Sequence, residues 1–458
     1  MLLFLIICMG ICIVPLAGMA VHPTTVSTEN RRISSFPSVR KEDGALNKDF
    51  FKEFNAYFND HFAFRNELVY ADARIQADVF RVSAVESVIA GTDGWLYYTD
   101  SRKDYLGEDP LTEGEVYGLA RNLYLADQFA RSRGASLAVA IPPNKNTLYG
   151  ENMPYYDNHM VTSGPHAMDR LLPYLKEMGV RYTDLGDIFR KEGSGEPLYL
   201  KRDSHWNNKG ALLGYNAMMD VLGKEHDSYE SVPVTRKSDE YGDLNRMLYT
   251  LYGQKEMNYY YDIPQAYTIT NGSTSVEDMR IETENAGATG TLVMFRDSFG
   301  NALVPLVANQ FAQATFTKET VYALERQITE HAPECILFEK AERSMDEFLT
   351  MPPFFSAMEI EMPRAQASEE MEPNVEMATL EYDINYYKIT GSVESRFLGK
   401  NTDFLVQVNE TCYEAMHTGE DSFALYLRKD AVPSPPLEIT ILTRHDGIVQ
   451  RVQNTVVS

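Results

Sequence analysis

With 458 residues and 44% apolar side chains, the chain is too long for one ordinary hydrophobic core, so two or three domains are expected. Its formal net charge of −24 argues against binding to nucleic acid or to an anionic membrane surface. The four cysteines lack the spacing of a disulfide framework or a metal site, which favours reduced thiols over a bridge between Cys335 and Cys412.

The first 20 residues contain no charged side chain and are mostly apolar. About 20 such residues suffice for a helix that crosses a bilayer, whereas Gly18-Met19-Ala20 also fits a signal-peptidase site. Either interpretation, signal peptide (1–20) or signal anchor, exports the rest of the chain. We therefore expect it at the extracellular face of the membrane or secreted, after a polar, proline-containing linker over residues 21–44.

Helical periodicity begins near residue 50. Aromatic side chains from Phe50 to Phe64 predict an amphipathic helix with its aromatic face in the core, followed by a second helix over 67–80. Asp93-Gly94, within an apolar stretch, predicts the turn of a β-hairpin.

From residue 113 onward, helix-like and strand-like segments alternate. Such alternation predicts an α/β domain with a doubly wound, mostly parallel sheet that is covered on both faces. The segment 231–284 is rich in Tyr and Asn, has weak periodicity, and is predicted to be an irregular insertion near the site. The predicted helices are 113–133, 165–177, 208–222 and 317–331, and the predicted strands are 136–141, 180–185, 291–295 and 335–339.

The composition changes at Met351, where prolines and an acidic run predict a linker over residues 351–377. This boundary assigns residues 45–350 to the α/β domain. Residues 378–458 are predicted to form a small all-β module, a candidate for glycan binding. Its predicted strands are 380–393, 402–408, 422–427 and 437–442.

Asp203-Ser204-His205-Trp206 brings an acid and an imidazole close together just before a predicted helix. In an extended chain, residues two apart point to the same side, about 6.5 Å along the strand, so Asp203 can orient His205. Ser298 follows a buried strand, where the N–H groups of a strand-to-helix turn can stabilise an oxyanion. These three residues supply the nucleophile, base and orienting acid of a triad.

The residues alone leave other interpretations open. Asp203 and His205 are also suitable metal ligands, with His61 or His166 as further candidates. Ser298 in an Asp-Ser pair is also typical of a helix cap.

The block Asp203 to Gly210 resembles the Asp-x-His-Trp block of the SGNH-hydrolase-like proteins typified by alginate O-acetyltransferases and the related DHHW proteins. That resemblance implies an SGNH-hydrolase-like fold with catalytic Asp203, His205 and Ser298, in an order permuted relative to ordinary SGNH esterases. Arg296 departs from the family pattern, which has glycine two positions before the serine. Other blocks fit the family in the same order: Glu29-Asn30-Arg31, residues 59–65, Gly91 to Tyr97, Ile141 to Lys145 with Tyr149 and Pro154, and Glu339 with Glu342-Arg343.

The resemblance implies an exported O-acetyltransferase that moves an acetyl group through an acyl-serine onto hydroxyls of a cell-surface or secreted polysaccharide. A membrane-bound O-acyltransferase would supply the acetyl group, and no cofactor or metal is expected. With water as acceptor, the same triad would be a polysaccharide acetylesterase.

A non-catalytic surface protein that binds glycans through Trp95, Trp206, the tyrosine-rich insertion and the C-terminal module is a further alternative. Within the site, Trp206 is expected to pack under the histidine, with substrate stacking as its other role. The candidate oxyanion or substrate-binding residues are Arg343, Asn301, Lys145, Tyr149 and Trp206.

Overall fold

The structure is a computed structural model, and it describes residues 2–19, 21, 24, 33–41, 43–108, 111–162, 164–192, 195–249, 251, 253–320, 322–366, 371, 374–381 and 383–457. Glu29-Asn30-Arg31 and parts of both predicted linkers lie outside these residues. The apolar N-terminal segment is helical, and no described helix is long and apolar enough to cross a membrane. A role as signal peptide or signal anchor stays a prediction.

The helices agree with the predicted starts best where a capping residue is present. Thr112 and Glu115 form a capping box before one long helix, and the Asn207 side chain accepts from Gly210 N before another. The described helices are α1 Leu2–Gly18, α2 Phe50–His61, α3 Arg65–Ile75, α4 Arg102–Leu106, α5 Glu113–Ser132, α6 Lys145–Tyr149, α7 Tyr155–Met160, α8 Ala167–Met178, α9 Leu185–Glu192, α10 Asn208–Leu222, α11 Asp243–Leu248, α12 Val304–Ala308, α13 Leu324–His331 and α14 Glu347–Thr350.

The strands form a central mixed sheet, two C-terminal sheets and two hairpins. They are β1 Val88–Ala90, β2 Leu96–Tyr98, β3 Ser136–Ala140, β4 Arg181–Thr183, β5 Val234–Glu240, β6 Glu256–Tyr261, β7 Thr268–Ile269, β8 Arg280–Glu284, β9 Thr291–Phe295, β10 Gln313–Thr317, β11 Cys335–Glu339, β12 Glu359–Ile360, β13 Glu376–Leu380, β14 Asp383–Ser392, β15 Asp403–Val408, β16 Thr411–Glu414, β17 Met416–His417, β18 Ser422–Arg428, β19 Leu437–His445 and β20 Ile448–Val457.

The central sheet has the strand order β4-β3-β11-β9-β10-β8-β7. The first five strands in this order are parallel, and β8 and β7 add antiparallel pairs at one edge. The predicted α/β domain is therefore present with a mixed sheet. Its parallel strands end at a common edge, which is where α/β proteins place their functional residues.

Both faces of this sheet are buried, as the continuous apolar strands predict. Along β9, Val293 and Phe295 face a core that includes α5, α8 and α13, whereas Leu292 and Met294 face a core that includes α10 and α12. Alternate side chains of one strand thus belong to different cores, because strand side chains alternate between faces.

Two stretches differ from the predicted elements. Residues 317–331 are not one helix, because β10 occupies Gln313–Thr317 and helix begins only at Leu324. The insertion 231–284 is more regular than predicted: β5 and β6 form a hairpin, and β7 and β8 join the central sheet.

The aromatic stripe of α2 is not a core face in the described residues. Phe51 is 82% exposed, and Phe54 and Phe64 are also exposed. The stripe therefore differs from the prediction, since its rings contact one another and Phe36 rather than the central sheet. The predicted hairpin is present between β1 and β2, where Asp93 and Gly94 both have positive φ.

The C-terminal residues form two antiparallel sheets that enclose a separate apolar core. The four predicted strands correspond to β14, β15, β18 and β19. The division at residues 351–377 and the glycan-binding role of residues 378–458 stay predictions. Cys335 and Cys412 are both free thiols, as predicted.

Candidate active site

The structure brings Asp203, His205 and Ser298 into one hydrogen-bonded chain. Nε2 of His205 lies 2.8 Å from Oγ of Ser298. Nδ1 of the same ring lies 2.7 Å from Oδ1 of Asp203, which also accepts the backbone N–H of His205 at 2.9 Å. This is the contact pattern of a nucleophile, a base and an orienting acid.

Two elements of the α/β domain position these groups. Ser298 follows β9, the central strand of the seven-stranded sheet, and precedes a short 3-10 helix. Asp203 and His205 lie in the loop before α10, whose cap residue Asn207 fixes the loop exit. His205 and Ser298 are more than 90 residues apart in the sequence. They come into contact because both lie at the same edge of the sheet.

The electrostatics favour a charged pair. Burial raises the pKa of Asp203, but the hydrogen bond and positive charge of His205 lower it by more. For His205, burial lowers the pKa, whereas the hydrogen bond and charge of Asp203, followed by the charge of Asp243, raise it above its ordinary value overall. The imidazolium form is therefore stabilised next to Ser298.

The backbone of the Asp203 loop is held by two buried side chains from elsewhere in the fold. The Lys145 ammonium donates to the carbonyls of Leu200, Lys201 and Asp203, the last at 2.6 Å. The Glu256 carboxylate accepts the N–H groups of Lys201 and Arg202, both at 2.7 Å. Burial lowers the pKa of Lys145 to about 8.

Asp243, the first residue of α11, completes this support. Its Oδ1 accepts the backbone N–H of Ser204 at 2.7 Å, and its own N–H donates to Oδ2 of Asp203 at 2.8 Å. Gly242 permits the approach, since a Cβ there would lie 2.0 Å from the Arg202 carbonyl oxygen. Neither Asp243 nor Glu256 was predicted, because both lie in the segment without clear periodicity.

Arg296 does not displace the serine turn. Its side chain is buried and donates to Oδ1 of Asn301 and to the carbonyls of Val276 and Asp278. Burial lowers its pKa to about 10. The arginine thus ties the insertion to the serine turn, and Gly300 accommodates it, since a Cβ there would lie 2.8 Å from Arg296.

Asp297 links the two neighbouring strand ends. Its Oδ1 accepts Phe299 N and its Oδ2 accepts Ala341 N, while Asp297 N donates to the buried Glu339. Burial, followed by the charge of Asp297, raises the pKa of Glu339 well above its ordinary value. Glu339 and Ala341, which belong to the last block of the sequence pattern, therefore stabilise the serine turn through their hydrogen bonds to Asp297.

The other predicted residues fall into two groups. Asn301 and Trp206 border the cleft beside Ser298, and the Arg343 guanidinium lies over the Phe299 ring, close enough for its charge to act on His205. The side chains of Lys145 and Tyr149 bind backbone groups of residues 198–203. Lys145 is 5% exposed, and the Tyr149 hydroxyl accepts the backbone N–H of Leu198.

The tryptophans are too buried to stack on a glycan as free platforms. Trp95 is 4% and Trp206 3% exposed. The indole N–H of Trp206 donates to the Phe299 carbonyl, and its ring packs edge-on against Phe299. Trp206 therefore packs against the residue that follows the serine, beside the histidine.

The residues that could bind a metal beside Asp203 and His205 differ from the predicted ones. Asp203, His205 and Asp243 offer ligand atoms within 4.8 Å of one another. His61 and His166 do not join them, because their Nδ1 atoms contact the carbonyls of Tyr57 and Asp104. Since Asp203 Oδ1 contacts both His205 N and His205 Nδ1, the observed arrangement is that of a hydrogen-bonded pair.

A cleft of about 1240 Å³ opens over Ser298 and His205. Its opposite wall is formed by α3 and by residues 240–249, which include α11. The insertion therefore supplies both a support of the triad and a wall of the cleft.

Residues 88–293 match the family described as SGNH hydrolase-like domain, acetyltransferase AlgX. This stretch of the chain is similar to an SGNH hydrolase-like domain. The resemblance to O-acetyltransferase and DHHW proteins is thereby confirmed. The match includes Asp203 and His205 and ends before Ser298, so the contact between Ser298 and His205 in the structure is what connects the serine to the matched segment. That the order Asp203, His205, Ser298 is a permutation stays a prediction.

Solved structures with related chains include Bacillus cereus PatB1 (19% identity, 56% of this chain and 96% of that chain, TM-score 0.43). A DHHW family protein from Eubacterium siraeum is similar at 15% identity over 57% of this chain and 92% of that chain, with a TM-score of 0.43. The O-acetyltransferase domain of Pseudomonas putida AlgJ is similar at 15% identity over 57% of this chain and 92% of that chain, with a TM-score of 0.38. No curated protein matches the chain.

Proposed function

We propose that this protein is a serine-dependent O-acetyltransferase that acts on hydroxyls of an exported polysaccharide. The observation that carries the proposal is the chain from Asp203 through His205 to Ser298, at the edge of a cleft and within an SGNH hydrolase-like fold. The acetyltransferase named in the family description supports the choice of acyl group.

The geometry supports a covalent mechanism. Nε2 of His205 takes the proton of Ser298 while Oγ attacks the acetyl carbonyl, and the imidazolium then gives that proton to the leaving group. The acetyl-serine is next attacked by a sugar hydroxyl, whose proton goes to the same nitrogen. The bond from the acetyl carbon to Ser298 Oγ then breaks, and the imidazolium returns the proton to Oγ, which frees the O-acetylated sugar. The Ser298 N–H, Asn301 and Arg343 are the candidates for stabilising the oxyanion.

A polysaccharide acetylesterase with the same triad is the second candidate. Ser298 and His205 are both only half-buried and border an open cleft, so water has a route to the acyl-serine. The two functions differ in the second acceptor alone. Comparing acetyl transfer to a glycan with release of free acetate separates them.

The proposal extends to location and supply. An apolar N-terminal segment and the acetyl chemistry support an exported protein, with acetyl delivered by a membrane-bound O-acyltransferase partner. Co-purification of tagged full-length protein from membranes, followed by identification of an O-acyltransferase, tests this part separately from the triad.

Replacing Ser298 by Ala tests the nucleophile. We expect Ser298→Ala to reduce hydrolysis of a chromogenic acetyl ester by about 10⁴-fold to 10⁶-fold, as in other triads. Ser228→Ala, at an exposed position, is the matched control. If Ser298→Ala retains ester hydrolysis, the proposed function is wrong.

A further inference from the structure

Asp243 contacts the triad, although it belongs neither to the Asp203–His205 block nor to the Ser298 block of the sequence. Besides its bonds to Ser204 N and Asp203 Oδ2, its own Oδ2 accepts the Ser204 hydroxyl at 2.5 Å and lies 3.6 Å from Nδ1 of His205. These are four separate approaches of one residue to the Asp203–His205 segment. Asn245, two residues later in α11, adds a backbone bond to the Arg202 carbonyl.

The Ser204 hydroxyl shows how this carboxylate acts on the ring. A hydroxyl has one proton, and the short contact to a carboxylate oxygen shows that Ser204 donates this proton in a hydrogen bond to Asp243. The lone pairs of Ser204 Oγ then face Nδ1 of His205, 3.2 Å away. Ser204 is therefore an acceptor toward the ring.

Nδ1 of His205 accordingly faces three acceptors: Asp203 Oδ1 at 2.7 Å, Ser204 Oγ at 3.2 Å and Asp243 Oδ2 at 3.6 Å. This surrounding fixes the proton of the neutral ring on Nδ1, because Nδ1 without a proton would be repelled by all three. Nε2 is then left as the acceptor for the Ser298 hydroxyl.

We infer that Asp243 is a positioning residue of the proposed reaction: it holds Asp203 and Ser204 in place and adds a second negative charge that stabilises the imidazolium of His205. The inference rests on the proposed function for its catalytic consequence. Arg343 supplies an opposing positive charge near the ring. The base is thus tuned by two carboxylates and one guanidinium.

Charge and hydrogen bonding are separated by two variants. Asp243→Asn keeps the backbone N–H and can still accept Ser204 N, but it loses the negative charge and the acceptor for the Ser204 proton. Ser204→Ala keeps the charge and removes the bridging hydroxyl. Asp262→Asn is the control, an exposed aspartate of the same insertion with no described contact to the triad.

The test is the titration of His205 in full-length protein labelled with ¹³C at histidine, with His205→Gln used to assign the signal. We expect Asp243→Asn to lower the midpoint by about half a pH unit or more, and Ser204→Ala to move it less. Hydrolysis of a chromogenic acetyl ester should fall about tenfold in Asp243→Asn, mainly in kcat, with its acidic limb shifted in the same direction.

An unchanged His205 midpoint in Asp243→Asn, or an equal shift in Asp262→Asn, would overturn the inference. Because the titration needs no turnover, its outcome is independent of the proposed function. A shifted midpoint in a protein whose Ser298→Ala variant remains active would support the role of Asp243 and reject the acyl-serine.

Discussion

At the scale of single residues, the decisive feature is that His205 is the only link between the acid and the serine in the observed chain of contacts. Its Nδ1 side is filled by acceptors and its Nε2 side contacts Ser298. The neutral ring can therefore serve as the base in one tautomer. Protonation of Nε2 abolishes that role.

This arrangement predicts the pH dependence of activity. The pKa of His205 is raised above the ordinary imidazole value of about 6.5, so the active neutral form is lost already at that pH and below. We expect the acidic limb of kcat/KM for an acetyl ester to have its midpoint above 6.5. A midpoint near 5 would contradict this prediction.

The same shift has a defined effect on stability. Because the folded pKa of His205 is above the unfolded value, its contribution is fully present below the unfolded pKa and is lost as the pH rises through the folded pKa. As the pH rises through the folded pKa of His205, activity therefore increases while the contribution of His205 to the free energy of unfolding decreases. His205→Gln removes both dependences.

Residue patterns in the sequence sufficed to propose Asp203, His205 and Ser298 as a triad. They could not identify Asp243 and Glu256, because these acids reach the Asp203 loop from positions about 40 to 55 residues away in the sequence. They also could not place Lys145, whose ammonium is enclosed by three carbonyls beneath the loop. A buried lysine and an exposed one look the same in a sequence.

At the scale of elements, α11 is docked onto the Asp203 loop through a glycine. The backbone of Gly242 has φ −59° and ψ 150°, which suits any residue, so only the close Arg202 carbonyl requires glycine. An alanine there must push the two segments apart.

We therefore expect Gly242→Ala to lower kcat for ester hydrolysis by about 100-fold, because displacement of α11 also moves Asp203. Gly195→Ala, at a site with no atom within 4 Å of the added Cβ, is the matched control. Equal rates for the two variants would show that the Gly242 contact does not position the loop.

Elements with strong local signals were predicted well. The helix proposed for 208–222 is α10, with its asparagine cap, and the apolar runs 291–295 and 335–339 are β9 and β11. The helix proposed for 317–331 failed at its start, because short apolar segments such as β10 do not distinguish strand from helix by periodicity. The regular structure of the insertion was not predicted. Its strands β5 and β6 pair with each other, and the side chains of β5 are largely exposed, so β5 shows no alternation of apolar and polar residues.

At the scale of the whole molecule, the C-terminal sheets are bonded to the α/β domain through α5. The Asn122 amide is fully buried and donates to the carbonyls of Phe348 and His417, and its oxygen accepts His417 N. Arg121 pairs with Asp403 and Glu414 next to it. The apolar core beside α5 also includes residues of β14, β17 and β18.

These contacts predict that the two parts unfold together. Asn122→Ala removes three buried hydrogen bonds to backbone groups, so we expect it to lower the free energy of unfolding by about 3 kcal/mol. Asn374→Ala, with an exposed side chain, serves as the control in urea unfolding followed by circular dichroism. Two separate transitions in the unsubstituted protein would contradict the prediction of a shared unit.

The central claim is that Ser298 carries the acetyl group. The most direct measurement is peptide mass spectrometry of the protein after incubation with an acetyl ester, with and without a candidate polysaccharide. We predict a mass increase of one acetyl group on the peptide that contains Ser298, absent from Ser298→Ala and diminished when an acceptor glycan is added. An unmodified Ser298 under conditions in which the ester is consumed would contradict the account.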